Sequence, residues 1–156
     1  MKLILLIPLA MLGYWAYQHF LPPAAIAEPV YVEMRLQIRE GGRDVEAALF
    51  GRASDDIDCQ LRLTRARDHL RTRCPQCRLQ LAECKPALAP RYLPLFDERP
   101  GNLTYFSYRP SRRGERDVRM IFWGLTVPEA NHLCDQMRNL LATLYAGPSN
   151  CIRPAS

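Results

Sequence analysis

Six cysteines are the residues of this chain whose type and spacing could do chemistry, and two of them form a C-x-x-C motif at Cys74 and Cys77. Such a pair can exchange its disulfide with other thiols when a positive field lowers the pKa of one cysteine. The N-terminus of a helix supplies that field, whereas the helix predicted here ends at Arg73, directly before the motif. The sequence therefore favours a structural disulfide, with an exported thiol–disulfide redox protein as the alternative function.

Zinc binding is the second chemistry that the cysteines could support. Four thiolates could act as ligands: Cys59, Cys74, Cys77 and Cys84. Their spacing, C-x14-C-x2-C-x6-C, is not that of a standard zinc motif. Disulfides are favoured further because the chain begins with a predicted export segment. We therefore expect structural disulfides, with no metal and no cofactor.

Two amphipathic helices are predicted, and each carries one of the cysteines. The first in the chain runs from Ser54 to about Arg73, and Cys59 begins its apolar stripe. The second covers 126–145, where apolar residues recur at i, i+3, i+4 and i+7 around Cys134. A cysteine on a core-facing stripe indicates that each helix is tied covalently to the structure beneath it.

Alternating polar and apolar residues predict the strands. They cover 31–39, 78–84, 103–109 and 117–123, with a short final segment at 150–153. Gly41 and Gly42 are expected to end the first strand. The third and fourth strands are expected to form a hairpin, and the proline-containing segment 85–102 an extended loop.

The predicted order is strand–helix–strand followed by hairpin–helix–strand. We therefore expect an α+β, ferredoxin-like (split βαβ) sandwich with an extra hairpin strand, its two helices on one face of an antiparallel sheet, stapled by disulfides. The two halves echo each other, with CQLR and CDQMR near the starts of the helices. The segment VRMIFWGLTVPEANHLCDQM, residues 118–137, resembles the strand-to-helix passage of SPOR-type peptidoglycan-binding domains, and that resemblance implies a ferredoxin-like architecture as well.

The predicted fold limits how six cysteines can pair. Cys59 and Cys74 lie near opposite ends of one helix, about 22 Å apart, which is too far for a bridge. In a βαβ unit the second strand runs back along the helix, so the cysteine at its end returns toward the start of the helix. The predicted pairs are therefore Cys59–Cys84, Cys134–Cys151 and Cys74–Cys77.

Residues 1–21 are predicted to be a membrane anchor or a signal peptide, because a long apolar run follows Lys2. As an anchor, the segment would make a single-pass protein of the bacterial inner membrane with its domain in the periplasm. Cleavage at the small-x-small site ending in Ala27 would instead give a periplasmic or secreted protein. A proline-rich linker, 22–29, would lead to the extracytoplasmic α+β domain, 30–156.

The charge and the absence of certain motifs argue against several classes of function. The net charge is +5, and of the 21 basic residues only Lys2 and Lys85 are lysines. No nucleic-acid-binding motif accompanies this charge, so no nucleic-acid partner is expected. The basic face of the first helix, with Arg62, Arg65 and His69, is expected to be solvated. No serine-nucleophile motif, phosphate loop or carboxylate pair stands out, and we predict that the chain is not an enzyme and has no catalytic residues.

The expected function is therefore a non-enzymatic binding or scaffolding module of the bacterial envelope, with a protein or an anionic envelope polymer as its partner. The predicted binding surface is the basic tip of the hairpin, together with two tyrosines on the strand that leads to it. Arginine beside aromatic rings suits glycan or protein recognition. The residues of this predicted surface are Tyr105, Tyr108, Arg109, Arg112, Arg113 and Arg116.

Overall fold

The computed structural model describes residues 26–40, 42–109, 117–144 and 147–155. Within these ranges the strands are β1 (Val30–Glu40), β2 (Arg43–Ala53), β3 (Cys77–Lys85), β4 (Tyr105–Tyr108), β5 (Val118–Trp123) and β6 (Ser149–Ile152). The helices are α1 (Asp56–Arg73), α2 (Val127–Leu144) and a 3₁₀ helix, Pro90–Asp97. The predicted anchor, residues 1–21, lies outside the described residues. No helix in the described part of the chain is long and apolar enough to cross a membrane.

The strands form one antiparallel sheet in the order β3–β1–β2–β5–β4–β6. β1 and β2 are joined as a hairpin in which Glu40 pairs with Arg43. Gly42, between them, has a φ of +81°, which a residue without a Cβ adopts at no steric cost. The prediction that the two glycines only end a strand was therefore incomplete, because the chain turns at Gly42 into a second strand that was not predicted.

Two strand–strand–helix–strand units make up the sheet. In the first unit α1 crosses over β1, so that β3 pairs with the outer side of β1 and runs parallel to β2. In the second unit α2 likewise brings β6 to the outer side of β4. The central pair, β2 and β5, joins the units. The α+β class and the repeat are as predicted, but the repeating unit has an additional strand and the ferredoxin-like assignment is not confirmed.

Local side-chain caps explain where the helices begin. Asp55 caps α1, and its carboxylate accepts a 2.8 Å hydrogen bond from the backbone N–H of Asp58. At the start of α2, the Glu129 carboxylate accepts 2.8 and 2.9 Å hydrogen bonds from the N–H and hydroxyl of Thr126. The same carboxylate pairs with Arg43 at 2.7 Å. These contacts fix α2 to the turn between β1 and β2, 86 residues away in sequence.

Both α-helices pack on one face of the sheet. Alternate residues of β1, Val32 and Met34, form a buried cluster with Cys59 and Leu63 of α1. In the second unit, Cys134 of α2 belongs to an equivalent cluster, with Phe106 and Tyr108 of β4. This placement of two helices on one face agrees with the sequence-based prediction.

The 3₁₀ helix covers the opposite face of the sheet. Its residues Tyr92 and Phe96 form a buried cluster with Phe50 of β2 and Tyr105 of β4. The segment predicted to be an extended loop therefore supplies a third layer. Because both faces are covered, the central strands are buried on both sides.

Arg119 of β5 lies fully buried beneath this third layer. Its guanidinium donates to the carbonyl oxygens of Leu95 and Tyr108, at 2.9 Å each, and pairs with the Asp117 carboxylate. Burial lowers the pKa of Arg119, and the charge of Asp117 opposes that shift. The side chain thus holds the end of the 3₁₀ helix against the sheet through a charged hydrogen-bond network.

Three disulfides join the predicted pairs. Cys59–Cys84 and Cys134–Cys151, with Cα separations of 6.0 and 5.8 Å, each connect the helix of one unit to the outer strand of that unit. The sulfur atoms of Cys59 and Cys134 each lie 3.8 Å from a carbonyl oxygen at equivalent positions, those of Tyr31 and Tyr105. These two bridges are the repeated staples of the fold.

Candidate binding groove

A groove of about 550 Å³ lies between the second half of α1 and the first residues of β3. The disulfide between Cys74 and Cys77 closes one end of it. This bridge has no counterpart among the described residues of the second unit. The groove is lined by Thr64, Arg67, Asp68, Leu70, Arg71, Cys74, Pro75, Cys77 and Leu79.

The helical wall of the groove follows from the periodicity of α1. Thr64, Arg67, Asp68 and Arg71 recur at i, i+3, i+4 and i+7, and therefore share one stripe. This stripe is next to the buried one that packs on β1 and β3. β3 is the outermost strand, and the stripe faces its first residues across the groove.

Positive charge dominates the groove. Arg67 and Arg71 are exposed on its helical wall, and Asp68 is the acidic residue in the lining. The Arg67 guanidinium donates a 3.0 Å hydrogen bond to the carbonyl oxygen of Ala82 in β3. This contact ties the wall to the edge strand and fixes one guanidinium over the groove. Three further exposed arginines lie near these residues in sequence: Arg65, Arg73 and Arg78.

The disulfide at the end of the groove differs from the staples in its burial. Cys74 and Cys77 are both half-buried, whereas each staple joins a cysteine with no exposed surface, Cys59 or Cys134, to a half-buried one, Cys84 or Cys151. The N–H of Cys74 donates to the carbonyl of Leu70 at 2.9 Å, so the motif lies at the C-terminus of α1 as predicted. The helix dipole there opposes a thiolate, and the neighbouring arginines favour one.

The structure corrects the two tyrosines of the predicted binding surface, and the basic tip stays a prediction. Tyr105 and Tyr108 are only 1% and 6% exposed, because β4 lies between β5 and β6 with both of its faces covered. The Tyr105 hydroxyl donates to the carbonyl of Arg99 at 3.0 Å, and burial raises the pKa of Tyr105 to about 12. Both tyrosines are therefore core residues. Arg109 is exposed and pairs with Glu98 at 3.1 Å. The other arginines of the predicted tip, Arg112, Arg113 and Arg116, lie outside the described residues.

Within the basic face predicted on α1, Arg65 and His69 are exposed as expected, and Arg62 is the exception. Arg62 pairs with Asp58 at 2.6 Å and donates to the carbonyl of Arg52, so it is a structural residue. Sequence reasoning missed Arg67 and Arg71. Their i, i+4 spacing beside the buried stripe was visible in the sequence. The sequence did not show that β3 is an edge strand, and it is this position that makes the stripe of Arg67 and Arg71 a wall of the groove.

The cysteines do not form the alternative zinc site, because all six are joined in disulfides. In the described part of the chain, no group of three or more His, Cys, Asp or Glu residues is placed to hold a metal ion. No protein-family model, curated protein or solved structure matches the chain. The resemblance of residues 118–137 to SPOR-type domains stays a prediction.

Proposed function

We propose that this chain is a non-enzymatic binding module of the bacterial envelope that holds an anionic partner in the groove between α1 and β3. The observation that carries the proposal is the pair Arg67 and Arg71, which are exposed on one stripe of α1 and line the groove. Guanidinium groups recognise carboxylate and phosphate oxygens through two parallel hydrogen bonds. Leu79, 39% exposed, adds apolar contact area at the bottom of the groove.

The envelope location rests on two independent features. Three disulfides persist in an oxidising compartment, which for a bacterial chain is the periplasm or the exterior. The apolar segment 1–21 has the composition of an anchor, which would place the domain on the periplasmic side of the inner membrane. Cleavage after Ala27 would give the periplasmic or secreted alternative.

The test removes the two groove charges and compares that change with an equal one elsewhere. Arg67→Gln with Arg71→Gln is the test variant. Arg138→Gln with Arg153→Gln removes two exposed arginines of the second unit, near Asp135, and is the control. Polyglutamate and polyphosphate serve as anionic probes, with affinity measured at two salt concentrations.

We expect the test variant to bind the probes about two- to thirtyfold more weakly than the wild type, because each exposed ion pair contributes roughly 0.2–1 kcal/mol. The control should stay within about twofold of the wild type. Wild-type binding should also weaken with salt, because the contacts are ionic. Equal loss in both variants would show only a general charge effect and would overturn the assignment to the groove.

The second candidate function is thiol–disulfide exchange at Cys74 and Cys77. It is favoured by the half-buried position of this bridge and its absence from the repeated framework. A dithiol partner would attack one sulfur to form a mixed disulfide. Its second thiol would then resolve that bond, leaving two thiols at Cys74 and Cys77 and an oxidised partner.

Thiol mapping by mass spectrometry under a mild reductant separates the two candidates. Exchange would be supported if the Cys74–Cys77 bridge alone opens and if the double variant, Cys74→Ser with Cys77→Ser, loses the function of the protein. A bridge that resists reduction, or full function in that variant, would exclude exchange and leave the binding module.

A further inference from the structure

We propose that the anionic partner is an acidic protein segment that binds in an extended conformation, as an added strand along the outer edge of β3 beneath Arg67 and Arg71. This inference rests on the proposed function and specifies its partner. Strand addition uses the main-chain groups of an edge strand for affinity and alternate side-chain contacts for specificity.

β3 has the properties of an edge that can accept a strand. It is nine residues long and terminates the sheet, with no strand beyond it in the described parts of the chain. Arg78, Leu79 and Gln80 are exposed, and Cys77 is half-buried. Such an edge presents a row of main-chain donors and acceptors to any extended chain. The second edge strand, β6, has only four residues.

The structure limits how much of this edge is open. A bulge at Gln80 interrupts the register between β1 and β3, where Leu36 pairs with Leu79 and Arg35 pairs with Leu81. Beyond it, the Arg67 guanidinium already occupies the carbonyl oxygen of Ala82. At the other end, the N–H of Cys77 donates to the carbonyl oxygen of Cys74 at 3.0 Å. The open stretch therefore runs from the carbonyl of Cys77 to Leu79, and Cys77 and Leu79 line the groove.

The spacing of the two arginines fits an extended acidic segment. Arg67 and Arg71 are four residues apart on a helix, which is about 6 Å along its axis. Alternate residues of a strand lie on the same face, about 6.8 Å apart. Two carboxylates at positions i and i+2 therefore match the two guanidinium groups, and the three residues involved match the length of the open edge.

Charge on the other face of the edge favours the same partner. Arg78 pairs in register with Gln37, whose neighbours Leu36 and Ile38 point toward the helices. Arg78 therefore lies on the face opposite the groove. The residue between the two carboxylates of the partner would meet this arginine, so acidic residues are accommodated on both faces.

A second copy of this chain is a poor occupant. Pairing two β3 edges would bring two Arg78 side chains and two sets of groove arginines together, and like charges across a strand pair are destabilising. A polyanion without a peptide backbone would satisfy the arginines but not the main-chain groups of the edge. Peptides whose backbone amides are blocked therefore distinguish strand addition from the binding of charge alone.

The test uses the purified full-length chain with its disulfides intact and a short fluorescent peptide that alternates glutamate and threonine. Two control peptides carry N-methyl groups, one on every glutamate amide and the other on every threonine amide. Both retain the full charge. Because alternate amides of a strand point to opposite edges, each modification blocks one edge of the peptide only.

We expect the unmodified peptide to bind, one of the two methylated peptides to lose at least about tenfold in affinity, and the other to bind like the unmodified one. Arg67→Gln with Arg71→Gln should weaken binding of the unmodified peptide about two- to thirtyfold. Arg138→Gln with Arg153→Gln should not change it by more than about twofold.

The other outcomes separate the inference from the proposed function. If both methylated peptides bind like the unmodified one, or if polyphosphate alone shows the dependence on Arg67 and Arg71, strand addition is overturned and the groove remains an anion-binding site. If no probe responds to these arginines, both proposals fail. A dimer in light scattering that the peptide does not dissociate would assign the edge to a second copy and overturn the inference.

Discussion

Arg119 illustrates how the surroundings of a single side chain decide its role. It occupies a polar position in the alternating pattern of 117–123, a pattern that predicts exposure to solvent. In the structure the 3₁₀ helix covers that face, and the guanidinium becomes the buried partner of Asp117 and of four backbone carbonyls: those of Leu95, Phe96, Tyr108 and Val118. No local pattern could have shown this, because the covering segment is distant along the chain.

Replacing Arg119 with Met should destabilise the domain by about 3–5 kcal/mol, because it leaves a partly buried carboxylate and several carbonyls without their donor. The free energy of unfolding in urea measures the effect. Arg138→Met, which removes an exposed arginine that pairs with Asp135 at 3.4 Å, is the matched control and should cost less than about 1 kcal/mol. A loss below about 1 kcal/mol for Arg119→Met would contradict its structural role.

The cysteine pairs, in contrast, could be predicted from the sequence. The rise of a helix excludes a bridge between Cys59 and Cys74, and the return of the following strand brings Cys84 back to Cys59. These arguments depend only on the order of helix and strand, so they hold although the sheet has one strand more than predicted. The burial of Tyr105 and Tyr108 could not be predicted, because both faces of their strand are covered by segments far away in sequence.

Among the strands, β2 is the one that sequence reasoning missed. Its segment AALF places apolar residues next to one another, so it lacks the alternation of a half-buried strand. The structure gives the reason: β2 is central, with α-helices on one face and the 3₁₀ helix on the other. A strand that is covered on both faces has apolar residues on both sides, so its sequence shows no polar–apolar alternation.

The start of α2 should show a pH dependence that Glu129 controls. Hydrogen bonds from Arg43, and then from Thr126, lower the pKa of Glu129 to about 2, from 4.5 for an isolated glutamate. The ionised carboxylate stabilises the folded state. Its contribution is therefore present above about pH 4.5 and is lost as the pH falls toward 2.

Glu129→Gln removes this contribution. The wild type should be more stable than the variant at pH 5, and the two should converge as the pH approaches 2; urea midpoints at several pH values measure this. Arg43→Gln deletes the strongest of the hydrogen bonds and should reproduce part of the effect. A constant difference between wild type and Glu129→Gln from pH 5 to 2 would show that Glu129 is not held in this way.

For the molecule as a whole, the duplicated architecture predicts that the three disulfides contribute unequally. The staples close loops of 25 and 17 residues, whereas the bridge at the groove closes a loop of 3. The loop-entropy estimate gives about 3 kcal/mol for each staple and roughly half of that for the short loop. The framework therefore depends on the staples, and the third bridge is available for a role at the groove.

Replacing both cysteines of each bridge with alanine tests this order. The Cys59/Cys84 and Cys134/Cys151 double variants should lose similar amounts of stability, and the Cys74/Cys77 double variant clearly less. Urea unfolding of the three double variants gives the comparison. A Cys74/Cys77 variant as unstable as the other two would mean that this bridge is a staple as well.

The most direct measurement of the central claim is amide chemical-shift mapping of the ¹⁵N-labelled full-length chain during titration with the alternating glutamate–threonine peptide. We predict that the shifted amides cluster along Arg67 to Leu79, on the second half of α1, the Cys74–Cys77 turn and the first residues of β3. Shifts centred on α2 and β6, or no saturable shifts at all, would contradict the assignment of the groove as the binding site.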